Sequence, residues 1–132
     1  LSIRRQRQMC IRDRSTTGHA LAYTTLEKLN RTQDYQCYTC HITGHGMAGG
    51  PTDPKQVGEL KGVQCESCHM AGRDHVANPS VNKLPAKVPE VLCVTCHTPE
   101  QTEGRFIYAE YLPKVAHGAA SSGMKAGSAG LR

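Results

Sequence analysis

The chain has 132 residues, no tryptophan, only 5% aromatic residues and a mean hydropathy of −0.49, so a core made of its own side chains would be thin for its length. Its formal net charge of +5 is concentrated in residues 1–14, where five arginines face one aspartate; from Ser15 onward, eleven Lys and Arg face ten Asp and Glu. That near balance, with no basic stretch carrying interleaved aromatics, excludes a nucleic-acid-binding surface on the body of the chain.

In chain order, the first segment is LSIRRQRQMCIRDR (1–14). It has neither the apolar run of a signal peptide nor the length of a membrane span. It looks like the conceptual translation of a sequencing adapter. Residues 1–14 are therefore expected to be non-native or disordered, with the true N-terminus, any signal peptide and any anchor lost, and Cys10 without a role. Membrane anchoring stays unknown on this reading. STTGHALAYTTLEKLN (15–30) opens with capping residues and then runs helical, with His19, Ala22, Tyr23, Leu26 and Asn30 on one face. Next come three identical frames: CYTCH at 37–41, CESCH at 65–69 and CVTCH at 93–97, starting 28 residues apart both times. The connector GMAGGPTDP (46–54) is turn-rich. NPSVNKLPAKVPEVL (78–92) holds three prolines and is expected to be extended. A short helix is expected around Gly104–Leu112, ended or kinked by Pro113. The tail 118–132 is small and polar and is expected to be disordered. No alternating strand appears. The fold class is mainly α with extensive loops and little or no β, one domain over 15–117.

The frame C-x-x-C-H is the attachment frame of c-type haem. Two thiols reach two vinyl groups on one porphyrin edge, and the adjacent histidine lies under the ring to ligate iron. Cys37, Cys40, Cys65, Cys68, Cys93 and Cys96 are then the covalent attachment points, and His41, His69 and His97 the proximal ligands. Zinc also uses C-x-x-C pairs, two per metal, but three pairs leave one over, and zinc gives no reason for a histidine after every pair. Disulfides would explain the cysteines and not the histidines. Three haem c groups would supply the large apolar bodies the composition lacks. With both propionates ionised, each ferric haem carries about −1, which turns a body of +1 into about −2.

Four histidines remain for the far side of the iron. A histidine there gives a low-potential, low-spin site, and a methionine raises the potential. His19, at the start of a helix and far from any frame, is the best candidate. His117 follows the Pro113 break, and His75, six residues past His69, can serve a haem other than its own. His45 is disfavoured: the four steps from His41 span at most about 14 Å and would have to round the porphyrin rim. Met47 and Met70 meet the same objection, and Met124 lies in the tail.

HALAYTTL (19–26), DYQCYTCHITGHGMAGG (34–50), LKGVQCESCHMAGRDH (60–75) and LCVTCHTPE (92–100) resemble cytochrome c-554-type multihaem cytochromes, a similarity covering roughly residues 18–117. The resemblance implies a mostly helical, loop-rich fold organised around four haems in closely stacked pairs. It implies a further C-x-x-C-H frame ahead of His19, so that three haems belong to this fragment and four to the intact protein. It also implies that His19, His75 and His117 are distal ligands, one of them to the missing haem, and that the haem of Cys37, Cys40 and His41 is five-coordinate. The family carries an aromatic residue where His45 stands, and this chain departs from it there.

The expected function is a periplasmic or extracellular electron-transfer cytochrome, since haem is coupled to thiols outside the bacterial cytoplasmic membrane. Its partners are expected to be other redox proteins or cytochromes; family members accept electrons from hydroxylamine oxidoreductase. A first alternative is a haem enzyme that reduces a small nitrogen-oxide ligand such as nitric oxide at a five-coordinate haem held by His41, with Tyr38, His45 or Lys55 as proton donors. A second is a zinc-binding module.

Overall fold

The computed structural model describes residues 14–116; the expectations for residues 1–13, for His117 and for the tail concern residues outside it. Seven short helices run through the described residues: α1 (Ala22–Lys28), α2 (Tyr35–Tyr38), α3 (Cys65–His69), α4 (Arg73–Ala77), α5 (Glu90–Cys93), α6 (Pro99–Thr102) and α7 (Tyr108–Val115). Two 3-10 turns, Pro54–Gln56 and Gly58–Leu60, lie between α2 and α3. No strand forms among these residues; one isolated antiparallel bridge joins Ile42 to Lys61. The expected mainly helical, loop-rich architecture is what is found. No helix among the described residues is long and apolar enough to cross a membrane.

The first expected helix starts later than its periodicity indicates. Thr17 turns its hydroxyl on its own backbone, donating to the Arg14 carbonyl at 2.8 Å and accepting from the Ala20 amide at 3.3 Å. Such local bonds compete with a helical ladder, and Thr16–Leu21 form turns, so the helix is only Ala22–Lys28. Its apolar face is as expected: Tyr23 and Leu26 are buried, whereas Asn30 lies exposed beyond the helix at a φ of 53°.

Two further expectations are corrected. Pro113 does not end the last helix, which begins four residues later than expected and continues to Val115. The bond that proline removes would have gone to the carbonyl of Ala109, an exposed residue whose carbonyl water can satisfy. The connector 78–92 is not extended throughout. The Asn82 amide closes a turn on the Asn78 carbonyl at 3.0 Å, and α5 has begun by Glu90. The glycine-rich connector is turn-built as expected. At Gly50 a Cβ would fall 1.7 Å from the Gly44 carbonyl oxygen, so the backbones cross where only glycine fits.

The buried apolar core is Tyr23, Leu26, Tyr38, Ile42 and Val57, all from the N-terminal half. Thr43 is buried beside them with its hydroxyl fully used. It donates to the Gly62 carbonyl at 2.7 Å and accepts from the Gln64 amide at 2.8 Å. From residue 63 to 116 no residue is buried. Val76, Val81 and Val91 are each about 70% exposed, a poor state for β-branched apolar side chains in water. The polypeptide core stops where the second frame begins.

Candidate functional site

The first frame grows out of the core. Asp34 caps α2 by accepting the Gln36 amide at 3.0 Å, and its carboxyl is held low by the Arg31 guanidinium 2.6 Å away. The chain then curls through Cys40, whose amide bonds the Cys37 carbonyl at 3.2 Å, and His41, whose amide bonds the Tyr38 carbonyl at 3.0 Å. Both thiols and the imidazole thus come from consecutive turns. The second frame is itself α3, closed by Met70 at a φ of 67°. Glu66 accepts the Gly72 amide at 2.6 Å and turns the chain into α4, which carries His75. In the third frame α5 supplies Cys93, whose carbonyl accepts the amides of Cys96 at 3.2 Å and His97 at 2.9 Å.

Three imidazoles share one arrangement. His41 Nδ1 lies 2.6 Å from the Ala22 carbonyl, His69 Nδ1 2.6 Å from that of Pro85, and His75 Nδ1 2.6 Å from that of Asn82. A carbonyl only accepts, so each Nδ1 carries the proton and, in the neutral ring, Nε2 keeps the lone pair. A metal-binding histidine needs this tautomer, and the carbonyl raises its basicity. His45 is arranged otherwise. Its Nδ1 donates to the Pro51 carbonyl at 3.2 Å and its Nε2 accepts from the Tyr35 hydroxyl at 3.3 Å, with Tyr35 and Tyr38 edge-on around the ring. Both nitrogens are engaged.

His19 and His97, from opposite ends of the described chain, come together with ring centroids 6.0 Å apart and planes at 45°. Burial, followed by the neighbouring His97 and Arg14, lowers the His19 pKa; burial alone lowers that of His97. Both rings are thereby pushed toward the neutral form that offers a lone pair. The backbone holds His19 in place: its carbonyl accepts the Val63 amide at 2.9 Å, while the next-door Gly62 amide bonds the His41 carbonyl at 3.0 Å. His97 also stacks on Phe106, centroids 4.7 Å apart and planes 13° apart.

The thiols converge as well. The Cys96 thiol is pushed up to about 11, by burial first and then by the Cys40 thiol, with Cys68 adding. Cys68 is raised by burial and then by Cys93 and Cys65. Sulfurs of the first and second frames therefore each lie within electrostatic reach of the third. These thiols, with imidazoles whose Nδ1 is held by a carbonyl, fit haem c in the chemistry of the donor set. No three His, Cys, Asp or Glu among the described residues gather into a group able to hold a bare metal ion, so the zinc alternative has no ligand set there.

Sequence reasoning marked every frame residue and placed His19 on a helix-entry face. It missed the carbonyls of Ala22, Pro85 and Asn82, and it missed Phe106, whose only signal was being the sole phenylalanine of the chain. His117 lies outside the described residues. No curated protein matches the chain significantly, and no solved structure does either. A family model described as "Cytochrome c554 and c-prime" matches residues 5–70, a stretch that contains the first two frames.

Proposed function

Since the chain belongs to the cytochrome c554 and c-prime family, we propose that it is a periplasmic multihaem c-type cytochrome that passes electrons between redox proteins, carrying one haem on each of its three frames. Haem c, when bound, supplies an iron couple that gains and loses one electron. The chain attaches it through Cys37 and Cys40, Cys65 and Cys68, and Cys93 and Cys96, with His41, His69 and His97 as proximal ligands. The observation that carries the reading is the shared tautomer of the frame imidazoles: His41 and His69 each spend Nδ1–H on a carbonyl 2.6 Å away, the tautomer that ligates iron through Nε2.

His19 is assigned as the distal partner of His97. Two imidazoles that held one iron from opposite sides, with bonds of about 2 Å, would have their ring centres about 6 Å apart; these rings lie 6.0 Å apart. His75, with its Nδ1 on the Asn82 carbonyl, is ready to ligate a haem other than that of His69. The proximity of the thiols supports close spacing of the attached groups, which rapid electron passage requires. Covalent attachment through paired thiols supports an extracytoplasmic location.

Expression in a haem-loading host tests the proposal. A pyridine haemochrome assay is expected to give three haems per chain, each reversibly reducible, and a colourless folded product refutes it. A second reading, ligand reduction at the His41 haem, draws support from the double engagement of His45, which keeps the nearest histidine off the iron. A high-spin ferric signal that shifts on adding nitric oxide would favour it; uniformly low-spin, inert haem would leave the carrier alone.

A further inference from the structure

The frame histidines are oriented by two different devices. His41 and His69 are fixed by hydrogen bonds to carbonyls. Among the described residues, neither ring nitrogen of His97 has such a bond; its ring lies flat against Phe106 instead. Phe106 is backed in turn by Tyr111 of α7, centroids 5.2 Å apart. That helix is fastened by the Tyr108 hydroxyl, which donates to the Val88 carbonyl at 2.6 Å just ahead of the third frame. Phe106 is half-buried and follows a glycine turn at Gly104, so it reaches the frame from outside its own segment.

We propose that Phe106 is the positioning residue of the third frame: by stacking, it fixes the plane of the His97 imidazole and with it the 45° angle between His97 and His19. The inference rests on the reading of His19 and His97 as an axial pair. Offset stacking favours parallel planes at this separation. Among the described residues, the contact that sets the angle of this ring is thus aromatic stacking, where His41 and His69 use carbonyls. The mutual angle of two axial imidazoles governs the splitting of the iron d orbitals, and so the g values of the oxidised low-spin site.

The test uses the full holoprotein with Phe106→Leu and Phe106→Tyr, read by electron paramagnetic resonance of the oxidised protein. Phe106→Leu is expected to move the largest g value of one low-spin signal while the others stay and three haems per chain remain; Phe106→Tyr restores the parent spectrum. A parent spectrum in Phe106→Leu overturns the proposal. Failure of the underlying reading would look different: too few haems, or a His19→Met variant that leaves every signal unchanged. Where Phe106→Leu does not fold, Tyr111→Leu, which removes the support behind Phe106 together with an exposed contact to Lys114, is expected to move the same signal to a lesser degree, and no movement there overturns the proposal.

Discussion

Replacing Gly62 by alanine should injure both the fold and one haem site. Gly62 sits at a φ of +74°, and an added Cβ would lie 2.8 Å from the Ala20 carbonyl oxygen and 3.1 Å from that of His19. The left-handed conformation costs an alanine about 1–2 kcal/mol. The close approach adds about 1–3 kcal/mol, because the obstacles are backbone atoms that cannot swing aside. Gly104 provides the control. Its φ is +69°, and nothing lies within 4 Å of its Cβ position, so Gly104→Ala pays the conformational cost alone. Urea unfolding of the two holoproteins should therefore differ by about 1–3 kcal/mol, with Gly62→Ala the weaker. The two crowded carbonyls are those of Ala20 and His19, and the Val63 amide otherwise holds the latter, so Gly62→Ala should also show a fraction of one haem turned high-spin, and Gly104→Ala should not. Equal stability in the two variants, or an unchanged spectrum in Gly62→Ala, would refute the reasoning.

Thr43→Val leaves the part-buried Gln64 amide and the buried Gly62 carbonyl without their shared partner and should destabilise the holoprotein by about 1–3 kcal/mol in the same assay. Tyr38→Phe removes only the bond to the Thr52 carbonyl; it should cost about 1 kcal/mol and leave the haem spectrum alone. His45→Phe, which takes away a ring already engaged at both nitrogens, should leave the number of low-spin sites unchanged by paramagnetic resonance. His19→Met should raise the reduction potential of one haem, seen in a spectroelectrochemical titration as one displaced component.

What could be read in the sequence was whatever depends on residue type at short range. The frames are local, and Tyr23 and Leu26 follow the helical period that buries them. The start of α1 was misjudged because the Thr17 hydroxyl competes for backbone groups, a choice that periodicity does not register. That the helix runs on past Pro113 was not legible, because the exposure of the carbonyl it orphans is a tertiary fact. The partners of His41 and His69 are main-chain oxygens 19 and 16 residues away, and any residue type can supply them. The approach of His97 to both His19 and Phe106 likewise has no spacing signature, since it depends on how the loops close.

That the imidazole clasps are peptide oxygens has an evolutionary corollary. Ala22, Pro85 and Asn82 could each be exchanged for many other residues without removing the atom that sets the histidine tautomer. The ligand chemistry is thus sheltered from point mutation at those positions, and drift should be freer there than at the glycines and loop lengths that deliver the oxygens to their places.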